Sequence, residues 1–156
     1  MTFERAFDLM KYVGLKMKLP SWGGYWTWDE DKETILMHCK EADSETGKSV
    51  LDIRETQRVE YTLENILSDQ WEEATEENCT LLGGTPTFDF NTAIKYLNRG
   101  MKLKRLGKNN VFWEDTENAY VYLDGNAIIY KSGTDSELFQ YVITMQDILS
   151  VDWTFA

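Results

Sequence analysis

The sequence is poor in several residue types, and each shortage excludes a class of protein. Two cysteines, Cys39 and Cys79, are too few for a disulfide framework, and their spacing is not that of a metal site. The single histidine, His38, has no nucleophile pattern near it, and neither a P-loop nor a serine elbow occurs. We therefore expect a protein that is not an enzyme and that holds no metal and no cofactor.

Long apolar runs and an excess of positive charge are also missing. No stretch of about 18 apolar residues occurs, and the first residues do not read as a signal peptide, so we expect a cytosolic protein without membrane contact. The net charge of −11 disfavours direct binding to nucleic acid, because such surfaces are usually basic. The charge is concentrated in residues 1–78, where 9 basic and 18 acidic residues give −9. This acidity is compatible with solubility alone or with contact to a basic protein surface.

The sequence does contain an internal repeat. Its first motif spaces apolar residues along one face of a helix and ends at a glycine, and a segment that alternates apolar residues with lysine follows. This motif predicts an amphipathic helix and then a strand, with Asp89 or Asn91 as the N-cap of the second helix. The two copies are Phe3-x-x-Ala6-x-x-x-Met10-x-x-x-Gly14 with 15–19, and Phe90-x-x-Ala93-x-x-x-Leu97-x-x-Gly100 with 101–104.

A second motif closes each copy. It begins Thr-x-x-Asx, continues Ile-Leu-Ser, and reaches a tryptophan three residues later, in Thr62–Trp71 and again in Thr144–Trp153. The pattern predicts a short helical turn and then a strand through the tryptophan. A tryptophan at the end of a repeated apolar motif is typical of a hydrophobic core.

Because both motifs recur in the same order, we interpret the chain as a tandem duplication with an α+β fold. Each unit is predicted to be an N-terminal helix packed on a small antiparallel β-sheet. The first unit spans 1–75, an acidic linker with a Gly-Gly-Thr-Pro breaker spans 76–85, and the second unit spans 86–156. Such small units are predicted to bury apolar surface against each other, in a monomer or a homodimer. The remaining predicted strands are 34–38, 58–61, 119–123, 127–130 and 139–143, with a hairpin turn at Asp124-Gly125.

The two motifs resemble those of a family of small phage proteins, Thoeris anti-defence 2. Its members open on a pattern like Thr-Phe-x-x-Ala-x-x-x-Leu-x-x-Gly-Lys-x-x-x-Arg-x-x-Trp and close on Asp-Leu/Ile-Leu-Ala-x-Asp-Trp. The resemblance implies a compact helix-plus-sheet domain in the host cytoplasm that takes up a cyclic ADP-ribose-type signal. Some relatives take up cyclic oligonucleotides, and some have been linked to inhibition of CRISPR nucleases. The matching residues here are Thr2, Phe3, Ala6, Met10, Gly14, Lys16 and Trp22, and Asp147, Ile148, Leu149, Ser150, Asp152 and Trp153.

The sequence also departs from this family. Members are usually single units, and the match covers both ends of each copy but little of the middle. In the first copy Leu19 stands near where an arginine is usual, and Asn65 and Gln70 replace aspartates. The second copy has Arg105, and the matching tryptophan is absent unless Trp113 takes its place after an insertion.

Candidate ligand-binding residues are tryptophans and basic residues. Indole rings stack on nucleobases, and the glycines of the cluster 22–28 let a ligand approach the backbone; alternatively these rings fill an interface between the units. Basic side chains could hold phosphate, or guard a strand edge. We predict ligand contacts at Trp22, Trp26, Lys104, Arg105 and Trp113, with Lys16, Lys18, Lys102 and Lys108 as further phosphate candidates.

Two functions follow from these observations. The first is a phage or prophage anti-defence protein that sequesters a small signalling nucleotide. The alternative is an acidic inhibitor that binds a bacterial defence protein directly, for example an anti-CRISPR that imitates nucleic acid. In that case we expect protein contacts at Asp29, Glu30 and Asp31.

Overall fold

The computed structural model describes residues 1–39, 41–43, 47–55, 59–107, 119–131 and 138–156. The chain divides into two compact units, Met1–Pro86 and Thr87–Ala156. Among the helices of the described residues, none has the length and apolar character needed to cross a lipid bilayer.

The first unit is a helix followed by a five-stranded antiparallel sheet. Helix α1 (Phe3–Asp8) begins at Thr2, whose side chain caps it, and continues as a π-helical turn over Leu9–Val13. Gly14 ends the turn at a φ of 80°, a left-handed conformation that glycine adopts without strain. The other elements are β1 (Met17–Lys18), β2 (Tyr25–Asp29), β3 (Thr34–His38), β4 (Val50–Asp52), α2 (Val59–Ile66) and β5 (Glu72–Glu73), with single 3₁₀ turns at Ile53–Glu55 and Thr80–Leu82.

The second unit repeats this plan. Helix α3 (Phe90–Asn98) begins at Asp89, whose carboxylate accepts from the backbone N–H of Thr92 at 2.8 Å, so the predicted N-cap is confirmed. The other elements are β6 (Leu103–Arg105), β7 (Tyr120–Asp124), β8 (Ala127–Lys131), β9 (Leu138–Gln140), α4 (Met145–Leu149) and β10 (Trp153–Phe155).

The two sheets have the same topology and register. The first has the strand order β5-β1-β2-β3-β4 and the second β10-β6-β7-β8-β9, so the last strand of each unit lies beside its first strand. Tyr25 lies opposite His38 in the first sheet, and Tyr120 lies opposite Lys131 at the same place in the second. The predicted fold, two repeated helix-plus-sheet units, is confirmed.

The π-helical turn accounts for a difference in length between the two copies. Four positions separate Met10 from Gly14, whereas three separate Leu97 from Gly100. The N–H of Gly14 donates to the carbonyl of Leu9, five residues earlier, which is the spacing of a π-turn. The first helix thus accommodates one extra residue while its apolar face and its terminal glycine keep their places.

Each unit has its own hydrophobic core, and the repeated tryptophans occupy equivalent positions in the two cores. Trp71 and Trp153 are 1% and 0% exposed, so the predicted core role is confirmed. The indole N–H of Trp71 donates to the carbonyl of Asn65 at 2.9 Å, and that of Trp153 donates to the carbonyl of Asp147 at 3.0 Å. Each tryptophan therefore fixes the preceding helix to the last strand, and its polar atom is satisfied inside the core.

Three local predictions need correction. The strand predicted over 58–61 is wrong over 59–61, the part that the structure describes: Val59–Ile66 is helical, and its apolar residues recur three and four positions apart. The counterpart of β9 is therefore β4, which pairs with β3. The predicted strand 139–143 ends at Gln140. The hairpin turn lies one residue later than predicted, at 125–126, because Gly125 takes the positive φ of 59° at its first position.

Candidate anion-binding site

The tryptophans of the predicted ligand site belong to the core of the first unit. Trp26 is 4% exposed, and its ring lies 5.1 Å from the rings of both Trp22 and Trp71. Trp22 is half-buried and meets Trp71 edge-on at 5.3 Å. This placement favours a packing role over stacking on a ligand for both side chains. Trp113 and Lys108 lie outside the described residues.

Arg105 is engaged by two aspartates within the second unit. Its Nη1 donates to Asp147 Oδ1 and its Nε to Asp152 Oδ1, both at 2.9 Å. Arg105 is 8% exposed and Asp147 is fully buried. Burial disfavours the charge on Arg105, but the hydrogen bonds that Arg105 donates to Asp152 and Asp147 outweigh this effect and raise its pKa. The guanidinium that the sequence predicts as a phosphate contact is thus neutralised by the protein's own carboxylates.

Lys18 on β1 and Lys104 on β6 occupy equivalent positions in the two units, but they differ in accessibility. Lys18 is fully buried, and its Nζ donates to the carbonyl of Pro20 at 2.9 Å and to Glu72 Oε1 at 3.1 Å. Burial lowers its pKa, and the Glu72 carboxylate opposes that shift. Lys104, its counterpart, is half-buried on β6. Lys18 therefore serves the fold, while Lys104 keeps part of its side chain in solvent.

The segment predicted as a linker contacts the first unit. The N–H of Leu81 donates to the carbonyl of Gly23 at 2.8 Å, and the buried Cys79 thiol lies 3.3 Å from the same oxygen. Asn78 donates to Glu72 Oε1 at 3.2 Å, beside Lys18. Asn78 and Lys18 therefore donate to the same carboxylate oxygen.

The carboxylates predicted for protein contact lie at the β2–β3 hairpin. Asp29 Oδ1 accepts from the backbone N–H of Lys32 at 2.8 Å, which fixes the turn. Glu30 accepts from the indole N–H of Trp28 at 2.9 Å. Glu30 and Asp31 are exposed, so both carboxylates are accessible at the tip of this hairpin.

A cluster that sequence reasoning missed lies on the sheet of the first unit. The Nζ of Lys16 lies 5.0 Å from the ring centre of Tyr25, within cation–π distance. The His38 ring stacks on Tyr25 at 4.6 Å, and its Nε2 lies 2.9 Å from the Thr27 hydroxyl. Burial, and then the charge of Lys16, lower the pKa of His38. A tyrosine is thus flanked by two basic side chains.

The second unit has the same arrangement at the same register. The Nζ atoms of Lys102 and Lys131 lie 4.8 and 5.8 Å from the ring centre of Tyr120. A further ring, that of Tyr122, lies 6.1 Å from Tyr120 and points to the same face of β7, since residues two apart on a strand share a face. We call these groups the basic–tyrosine clusters: Lys16, Tyr25 and His38 in the first unit, and Lys102, Tyr120 and Lys131 in the second.

In the second cluster two positive groups lie within about 6 Å of one ring and can hold an anion such as phosphate, and Tyr122 adds an aromatic surface beside them. In the first cluster Lys16 is the charged group. Sequence reasoning named Lys16 and Lys102 but not their tyrosines. A usable signal was the pattern Tyr-x-x-x-Asp, which occurs at 25–29 and again at 120–124.

Among the residues described, no group of three His, Cys, Asp or Glu side chains is placed to hold a metal ion. The chain matches none of the protein-family models and none of the curated proteins with which it was compared.

Proposed function

We propose that this protein binds a nucleotide-derived signalling molecule, of cyclic ADP-ribose type or a cyclic oligonucleotide, and sequesters it without chemical change. One observation carries the proposal: a tyrosine flanked by two basic groups recurs at the same register in both units of a chain with a net charge of −11. In an acidic protein, a local concentration of positive charge favours an anionic ligand. Lys16 carries that charge in the first unit, and Lys102 and Lys131 carry it in the second.

The second unit offers the more complete contact set. Lys102 and Lys131 bind phosphate oxygens from either side of Tyr120, and the half-buried ring of Tyr122 stacks on a base. The first unit offers Lys16 and His38 but has Thr27 at the place of Tyr122. We therefore assign the tighter site to the second unit.

The biological role proposed for this binding is anti-defence. The opening and closing motifs resemble those of Thoeris anti-defence 2 proteins, which implies a phage or prophage protein acting in the host cytoplasm. Sequestration is stoichiometric and needs binding residues only.

Calorimetry with cyclic ADP-ribose isomers and cyclic dinucleotides tests the proposal. The wild-type chain should bind one of them. The double variant Lys102→Ala/Lys131→Ala should bind it at least roughly 100-fold more weakly, since each charged hydrogen bond contributes about 1.5–3 kcal/mol and two are lost. Lys95→Ala is the matched control, because it removes an exposed positive charge from α3 of the same unit. No heat with any of these ligands from a protein that is folded by circular dichroism would contradict the proposal.

A second candidate is supported by the exposed carboxylates at the β2–β3 hairpin and by the charge of −9 over residues 1–78. They favour direct inhibition of a defence protein with a basic surface, such as a nucleic-acid channel. A CRISPR nuclease that co-purifies with the chain, and dissociates at high salt, would support this candidate over the first.

A further inference from the structure

A buried lysine and an asparagine of the first unit share one carboxylate oxygen. The Nζ of Lys18 donates to Glu72 Oε1 at 3.1 Å, and the side-chain amide nitrogen of Asn78, Nδ2, donates to the same oxygen at 3.2 Å. Both nitrogens therefore lie within 3.2 Å of one atom. An amine, a carboxylate and a primary amide held this close are the groups that formation of an isopeptide bond requires: a nucleophile, a proton carrier and an acyl group with ammonia to release.

The surroundings of Lys18 favour the uncharged form of its amine. The side chain is 0% exposed, and its Nζ is held by a second hydrogen bond, to the carbonyl of Pro20 at 2.9 Å. Burial lowers the pKa of Lys18, although the Glu72 carboxylate opposes the shift. A lower pKa increases the fraction of neutral amine, and only the neutral amine has the lone pair that attacks a carbonyl carbon.

The side-chain amide of Asn78 is fixed by the backbone on both of its polar atoms. Its Oδ1 accepts from the N–H of Thr75 at 2.8 Å, and its Nδ2 donates to the carbonyl of Glu73 at 2.9 Å. When an amine attacks Cγ, negative charge develops on Oδ1, and the N–H of Thr75 is already in place to stabilise it. Asn78 and Glu72 are half-buried, so ammonia can leave to solvent.

We propose that Lys18 and Asn78 become joined by an isopeptide bond. Glu72 takes a proton from the Lys18 ammonium, and the resulting amine attacks Cγ of Asn78. The bond between Nζ and Cγ forms, and the bond between Cγ and Nδ2 breaks as Glu72 returns the proton to Nδ2. The two protons that Nζ loses depart with Nδ2 as an ammonium ion, and Glu72 is again a carboxylate. The exchange changes no oxidation state and needs no co-reactant.

The reaction is confined to the first unit. Lys18 lies opposite Glu72 across the pair β1 and β5, whereas its counterpart Lys104 lies opposite Thr154 across β6 and β10. A hydroxyl group at the place of the carboxylate cannot take a proton from an ammonium group at neutral pH. The cross-link therefore ties β1 to the segment that follows β5, and it leaves the second unit unmodified.

Intact-mass spectrometry of the purified full chain tests the cross-link. The wild type should be lighter than its sequence requires by one molecule of ammonia, and a tryptic digest should contain a branched peptide that joins Lys18 to Asn78. Lys18→Met removes the nucleophile and Glu72→Gln removes the proton carrier, so both variants should have their full calculated masses. Glu73→Gln is the matched control: it changes an exposed carboxylate of the same strand and should lose ammonia as the wild type does.

A wild-type chain with its full calculated mass would overturn the proposal, and this result does not depend on whether any variant folds. A loss of ammonia that persists in Lys18→Met would come from a succinimide at Asn78 and would overturn it as well. Near-ultraviolet circular dichroism shows whether Glu72→Gln keeps its tryptophan packing. A cross-link that still forms in this variant would overturn the role of Glu72 as the proton carrier.

Discussion

Arg105 donates to Asp147 at 2.9 Å, and the residues at the same two places in the first unit, Leu19 and Asn65, carry no charge. The third member of the group, Asp152, is likewise replaced by Gln70. Three charges that satisfy one another are present together in one unit and absent together from the other. Arg105 therefore connects β6 to Asp147 on α4 and to Asp152 just before β10, all within the second unit.

Removing Arg105 alone should destabilise the protein. Arg105→Leu leaves the buried Asp147 carboxylate without its charge partner, which costs about 3–5 kcal/mol. The triple variant Arg105→Leu/Asp147→Asn/Asp152→Gln installs the neutral set of the first unit and should recover most of that loss. Urea denaturation followed by circular dichroism measures both. Equal destabilisation of the single and triple variants would show that the group is not an isolated ion cluster.

Trp26→Ala should unfold the first unit at a lower temperature. The ring is 4% exposed and packs between Trp22 and Trp71, and a buried tryptophan replaced by alanine costs about 3–5 kcal/mol. Trp22→Ala should cost less because that ring is half-buried. Differential scanning calorimetry gives the two values. An unchanged melting temperature with loss of nucleotide binding would instead support the stacking role that the sequence suggests.

Periodic features of the sequence predicted the architecture well. The spacing of Phe3, Ala6 and Met10 identified the first helix, and the shared register of Trp71 and Trp153 identified the closing strands. The strand at 58–61 failed because a short segment carries either period weakly, and packing decides between them. The basic–tyrosine clusters were only partly predictable from the sequence. The sequence identifies Lys16 as a basic residue, but its position over the ring of Tyr25 depends on how the two strands are paired.

Binding at the first unit should strengthen as the pH falls. Burial and the neighbouring Lys16 hold the pKa of His38 below its ordinary value of 6.5, so the free imidazole is neutral at pH 7. Bound phosphate stabilises the imidazolium, so binding takes up a proton, and affinity can rise by at most about tenfold per pH unit. Calorimetry between about pH 7.5 and 5.5 should show this rise in wild type and a flat profile in His38→Gln. The lysine-based site of the second unit should not change over that range.

The same pKa shift has the opposite sign for stability. Because the unfolded chain binds a proton at His38 more readily than the folded chain, the free protein should lose stability as the pH drops through about 6.5. His38→Gln should reduce this loss. A wild-type stability that rises over the same interval would contradict the shift.

Tyr122→Ala should weaken nucleotide binding without unfolding the second unit. Stacking of one base on an aromatic side chain contributes about 1–3 kcal/mol, so the dissociation constant should rise roughly 5- to 150-fold. Thr27→Ala, at the equivalent place in the first unit, is the control and should leave the tighter site unchanged. Equal binding by wild type and Tyr122→Ala would show that no base stacks on the ring of Tyr122.

Charge reversal at Asp31 separates the two candidate functions. Asp31 is exposed, whereas Asp29 fixes the turn and should not be changed. If the chain inhibits a basic partner, Asp31→Lys should slow association, and the effect should shrink as salt screens charges over about 8–10 Å. Protection of an infecting phage that is unaffected by Asp31→Lys but lost in Lys102→Ala/Lys131→Ala would favour nucleotide sequestration.

The π-helical turn at Leu9–Val13 means that the one-residue difference in length between the two copies lies inside a helix and not in a loop. The strand that follows kept its frame, so Lys16 still reaches Tyr25 as Lys102 reaches Tyr120. An aligned pair of copies therefore needs a gap within a helix, between Met10 and Gly14, where gaps are normally penalised. The pairing of the strands is therefore a better criterion than the length of the first helix for recognising relatives of either copy.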